Sequence, residues 1–151
     1  MEIDSHRLPV FANLHEEHMQ LLEALIETVT YPAGHFVIRQ DAPADYLYIV
    51  LSGKVQISFE PYDGIPITVS HVEPGGLFGW SAVIGSEKYT SSAIAIEDLK
   101  AIRIHGDELR DLSAENPEAG RAILNSLANA VSPRWKDAHE QVKLILEKGM
   151  K

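Results

Sequence analysis

Asp45-Tyr-Leu-Tyr-Ile-Val-Leu-Ser-Gly53-Lys-Val-Gln-Ile-Ser-Phe59 is the stretch whose reading decides the fold. Tyr46–Leu51 and Lys54–Phe59 are short runs rich in Val, Ile, Tyr and Phe, residues that fit a pleated, half-buried surface. Ser52-Gly53 stands between them, where glycine supplies the positive φ of a tight turn. The same pattern extends in both directions. It predicts strands at Val29–Tyr31, His35–Ile38, Ile65–Val72, Ser91–Ile96 and Leu99–Ile104. Turn signals separate them at Pro32-Ala-Gly34, Asp41-Ala-Pro43, Tyr62-Asp-Gly64, Pro74-Gly-Gly76 and Glu97-Asp98. Short strands spaced roughly ten residues apart predict an antiparallel barrel, roll or sandwich.

Helical spacing flanks this region. Leu14, His18, Leu21, Leu22, Leu25 and Ile26 fall on one face of a predicted helix over 14–26. Beyond His105, Asp107–Leu112 reads as one short turn, and Asn116-Pro117 as a cap followed by proline in the first helical position. Leu124, Ala128, Val131, Trp135, Ala138, Val142 and Ile145 then recur in alternating steps of 4 and 3, the spacing of a coiled-coil seam, which predicts a homodimer. Pro133 lies off that seam. Either it kinks one long helix, or Ser132 caps a new one. The alternative use of the seam is packing back onto the strands of the same chain.

A chain of 151 residues fits one domain. The expected division is an N-terminal helical segment over 1–28, a β-roll over 29–105 and C-terminal helices over 106–148. The fold class is α+β, with a roll of jelly-roll, double-stranded β-helix type. There is no cysteine, which excludes disulfides, thiolate metal sites and cysteine nucleophiles. The first residues lack the basic start and apolar run of a signal peptide, and no long apolar stretch suits a membrane, so the expectation is a cytoplasmic protein. With 22 acids against 13 bases and no Lys/Arg cluster, nucleic acid is not an expected partner.

Ala33-Gly34-His-Phe-Val-Ile38, Asp45 to Val55, Pro74-Gly-Gly-Leu-Phe-Gly79, Tyr89-Thr-Ser-Ser-Ala-Ile-Ala95 and Asn116-Pro117 occur in one order. In that order the chain resembles the cyclic nucleotide-binding domain of catabolite-activator-type regulators, kinase regulatory subunits and gated channels. The resemblance implies a sensor role in signal transduction. It also implies a short helix after the Pro-Gly turn whose N-terminal amides meet a ligand phosphate. Phe78-Gly79-Trp80-Ser81-Ala82-Val83 occupies that place. The family often carries a DNA-binding unit after its long helix. Here Lys151 ends the sequence, so the expectation is a stand-alone domain whose signal passes to a partner protein.

Two positions depart from the family pattern. Trp80 stands where the resemblance places a glutamate for the ribose, and Tyr89 where it places an arginine for the cyclic phosphate. From Gln40 to Leu99 eight acids face only Lys54 and Lys88. One charge-assisted phosphate contact contributes about 1.5–3 kcal/mol, or roughly one to two decades of affinity. No cofactor is expected, and a cyclic nucleotide is not expected by the usual mode. Trp80 and Tyr89 either plug the position or line a more apolar pocket, with Phe78, Gly79, Ser81, Ala82, Thr90, Ser91, Ser92 and Trp135 as its further candidates.

His35, His71 and His105 stand singly in their strands, and His15/His18 lack a second pair, so no metal is expected. Ser81 lies in Gly-Trp-Ser-Ala rather than a nucleophile elbow, and the chain is not read as an enzyme. The favoured function is a regulatory sensor that binds a small molecule or a partner protein. The alternatives are a ligand-free interaction or scaffold domain and a small cupin-like metalloprotein.

Overall fold

In the computed structural model, which describes residues 9–129 apart from 13, 61–64 and 66, a 3-10 turn at Pro9–Phe11 precedes helix α1 (Glu16–Glu23). Eight strands follow among the described residues: β1 (Ile26–Tyr31), β2 (Phe36–Ile38), β3 (Tyr46–Ser52), β4 (Val55–Phe59), β5 (Ile67–Val72), β6 (Leu77–Phe78), β7 (Ser92–Ala95) and β8 (Leu99–His105). The short helix α2 (Ser81–Ile84) lies between β6 and β7, and α3 (Gly106–Glu115) and α4 (Pro117–Asn129) come after β8. The strands form two antiparallel sheets in the orders β1-β8-β3-β6 and β2-β7-β4-β5. This is the expected α+β roll.

Gly53 carries the chain from one sheet to the other. Its φ is +96°, and a Cβ there would collide with the carbonyl oxygen of Asp98. Only glycine meets both conditions. Period-2 alternation then gives β3 two apolar faces. Tyr48 and Val50 point between the sheets, into a core with Ile38, Val55, Val72, Phe78, Ala93 and Ala101. Leu47 and Ile49 point the other way, into a second core covered by helices. Met19 and Leu22 of α1, Leu109 of α3 and Ile123, Leu124 and Leu127 of α4 fill that second core, all fully buried. Each such side chain stabilises the fold by about 1.5–3 kcal/mol relative to exposure.

Three expectations are corrected and one unforeseen strand is added. The predicted first helix stops at Glu23, because Ile26 pairs with Ile104 and the chain joins β8 as an edge strand. The helical spacing of Leu25 and Ile26 is overridden by a ladder with a strand far away in sequence. Leu77–Phe78 forms a strand on β3 that two residues between glycines do not announce. The turn expected over Asp107–Leu112 is a helix of 10 residues, α3. Finally, Leu124 and Ala128 of the predicted seam are 0% and 5% exposed within the single chain, so they fill its own core and are closed to a second copy. Val131, Trp135, Ala138, Val142 and Ile145, with Pro133, lie outside the described residues.

Candidate functional site

After β6 the chain turns at Gly79, whose φ is +85°. A Cβ there would stand 2.8 Å from the carbonyl oxygen of Tyr46, so glycine lets this loop lie directly on the start of β3. The turn leads into α2, where Val83 N–H donates to Trp80 O at 2.9 Å and Ala82 N–H to Gly79 O at 3.1 Å. Trp80 is 2% exposed and packs in the helix-covered core with Leu47, Leu77 and Val83. Ser81 and Ala82 are buried as well.

Beyond α2 the chain pairs with the loop before β3. Tyr89 N–H donates to Ala42 O, Asp41 N–H to Tyr89 O and Ala44 N–H to Glu87 O, each at 3.0 Å. This short ladder aims the Tyr89 side chain between the sheets, where it is 7% exposed and packs in the core with Ile38, Tyr48 and Phe78. Its hydroxyl accepts from Tyr46 N–H at 2.9 Å and donates to Tyr46 O at 2.5 Å. Burial, as the leading cause, pushes the phenol up to about 12. The hydroxyl therefore keeps the proton it donates.

The structure thus separates the two substituted positions. Tyr89 and Phe78 join the core between the sheets, whereas Trp80 joins the helix-covered core on the far side of β3. Thr90 is exposed and Ser91 half-buried, while Ser92 Oγ accepts from Gln40 N–H at 2.9 Å. Trp135 lies outside the described residues. A single pocket lined by both aromatics is not what forms.

Two arginines were not singled out from the sequence. Arg110 of α3 donates to the carbonyls of Ala82 and, at 3.4 Å, Val83, and pairs with Asp107. It ties the end of α2 to α3. Arg103 of β8 shares the parity of Leu99 and Ala101, the residues of that strand that face between the sheets. Strand register places Glu27, Arg103, Tyr48 and Phe78 in one cross-strand row. Tyr48 and Phe78 stack at 5.0 Å and 6°. The Arg103 guanidinium lies 4.0 Å from the centre of the Tyr46 ring and meets Glu27 at 3.3 Å. Burial, the largest single cause, opposes its charge, but Glu27, Tyr46 and Tyr48 together outweigh it and raise its pKa, so it is a cation at every working pH. The alternation of β8 held this signal: a basic residue at a position reserved for Leu and Ala.

Among the described residues no three of His, Asp and Glu come together as a metal-holding group. None of the described helices is long and apolar enough to cross a membrane.

Set beside known proteins, residues 28–116 match the cyclic nucleotide-binding domain. Over 122 residues the chain is 31% identical to a CRP-like cAMP-activated global transcriptional regulator of Mycobacterium tuberculosis (strain ATCC 25618 / H37Rv), covering 81% of this chain and 54% of that protein. It is 28% identical to a cAMP-dependent protein kinase regulatory subunit of Dictyostelium discoideum, over 89% of this chain and 42% of that one. The chain spans about half the length of the curated relatives it matches. The crystal structure of Thermus thermophilus Catabolite Activator Protein superposes with a TM-score of 0.68 at 26% identity, covering 91% of this chain and 62% of that chain.

Proposed function

The chain belongs to the cyclic nucleotide-binding domain family, and from that premise we propose that it is a regulatory sensor domain whose phosphate position is filled by its own Tyr89. The observation that carries this reading is the pair of hydrogen bonds between the Tyr89 hydroxyl and the backbone of Tyr46, one accepted from its N–H and one donated to its carbonyl. Where the family pattern puts a guanidinium facing a phosphate, this chain has a neutral phenol already satisfied by protein groups. Trp80, at the position of the family's ribose-binding glutamate, is buried among apolar side chains. A cyclic nucleotide would meet neither ionic partner. The role is binding rather than catalysis, as the names of the regulatory relatives suggest.

A signal leaves such a domain through its helices. Arg110 joins the carbonyl end of α2 to α3, and α4 packs on α3 and shares the core behind β3. A shift of α2 would therefore move α3 and α4. Residues beyond Asn129 would then carry it to a second copy through Val131, Trp135, Ala138, Val142 and Ile145. The second reading is a ligand-free interaction domain, favoured by the burial of both substituted positions. Isothermal titration calorimetry with cyclic AMP and cyclic GMP tests the proposal: a sub-micromolar dissociation constant refutes the filled phosphate position.

A further inference from the structure

We propose that Arg103 anchors a small-molecule site of its own, receiving the carboxylate of a ligand with a flat apolar body. The inference deepens the sensor reading and rests on it, since it names the class of ligand sensed.

Three observations carry it. First, the guanidinium is only half used. A planar carboxylate grips arginine best along one edge, with one oxygen on Nε and one on the adjacent Nη. On that edge Nη2 donates to Glu27 at 3.3 Å and Nε is buried with no hydrogen-bond partner among the described residues, while the Tyr48 hydroxyl is the guanidinium's other polar neighbour. A buried donor without a partner is disfavoured, so its persistence calls for a physical reason. Second, the resident acid is a weak competitor. Glu27 is 54% exposed, whereas the Arg103 side chain is 26% exposed, so the carboxylate can leave for solvent while the cation stays. Third, the surroundings suit an aromatic body. Tyr46 lies under the guanidinium, Tyr48 and Phe78 continue the row as a stacked pair, and Tyr31 neighbours Tyr48.

Charge selects the class further. The chain carries a formal −9, so a dianion is repelled more than a monoanion. A singly charged carboxylate can exchange for that of Glu27 with no change in local charge. Besides Glu27, the titratable groups around the guanidinium are Tyr31, Tyr46 and Tyr48 and, in edge contact with Tyr46 at 5.0 Å, His105.

The test is NMR of the full chain titrated with sodium benzoate, following the arginine Nε–H resonances against sodium chloride at equal ionic strength. The expected result is a saturable shift of the Arg103 resonance. Glu27→Gln should tighten the midpoint about two- to five-fold, the effect of removing one half-exposed competing pair. Arg103→Lys keeps the charge but loses the edge, and should abolish saturable shifts at Tyr46 and Tyr48. No saturable shift up to tens of millimolar in both wild type and Glu27→Gln would overturn the proposal. So would equal shifts in Arg103→Lys, or saturation by inorganic phosphate but not benzoate. Tight cyclic AMP binding with no benzoate effect would sink the filled phosphate position as well, whereas loss of the benzoate effect alone leaves that position standing.

Discussion

The hydroxyl of Tyr89 satisfies both backbone polar groups of Tyr46, accepting from its N–H at 2.9 Å and donating to its carbonyl at 2.5 Å. One side chain thus does at the start of β3 what a neighbouring strand does elsewhere. Tyr89→Phe leaves an N–H and a carbonyl without those partners. It should destabilise the fold by about 1–3 kcal/mol in urea unfolding. An unchanged midpoint would mean that solvent replaces the hydroxyl without loss.

The same phenol predicts a pH effect. Its pKa rises from 10.0 to about 12 on folding, because burial disfavours the charged form. The folded state therefore holds the proton more tightly. The stabilisation is complete below pH 10 and is lost as the pH rises through about 12. Alkaline unfolding followed by circular dichroism should be less steep across this window in Tyr89→Phe. Identical profiles would remove Tyr89 from the account.

Cyclic AMP and cyclic GMP should bind no tighter than roughly 10–100 µM, since most of the charge-assisted energy is absent. Restoring the family pattern meets an obstacle that the sequence hides. Trp80→Glu places a carboxylate in an apolar core and deletes a large side chain, a loss of about 3–5 kcal/mol or more. The single variant Tyr89→Arg is the cleaner restoration. It should gain nucleotide affinity in calorimetry, whereas Trp80→Glu should lower the thermal midpoint sharply. A Trp80→Glu protein as stable as wild type would contradict its placement.

Dimerisation through Val131, Trp135, Ala138, Val142 and Ile145 predicts that Val142→Glu yields monomers in analytical ultracentrifugation at micromolar concentration. Leu124 and Ala128 serve the chain's own core, so a charge at either should unfold the protein instead of splitting it. A wild type already monomeric at that concentration would end the dimer proposal.

Much of the roll was legible in the sequence because strand alternation is local. Tyr46 to Phe59 states both its period and its turn within a few residues. What escaped depends on partners distant along the chain. Ile26 reads as helical until Ile104 offers it a ladder. Leu124 fits a seam equally well whether a second copy or Leu47 and Ile49 receive it. Trp80 and Tyr89 both read as pocket residues, since nothing nearby says that they enter different cores. Arg103 is marked only by its strand parity, since the family pattern reserves position 89, not position 103, for a basic residue.

The two faces of β3 have a mechanical consequence. Tyr48 and Val50 border one core and Leu47 and Ile49 the other, so a single strand thickness divides the space between the sheets from the helices. A strand cannot tilt or slide on one side only, because its alternate side chains share one backbone. Any molecule that displaces Tyr48 must move Leu47 and Ile49 by a similar amount, and these belong to the core that α1, α3 and α4 cover. β3 therefore acts as a diaphragm: pressure on its inner surface is felt at once on the outer, with no relay of intermediate residues.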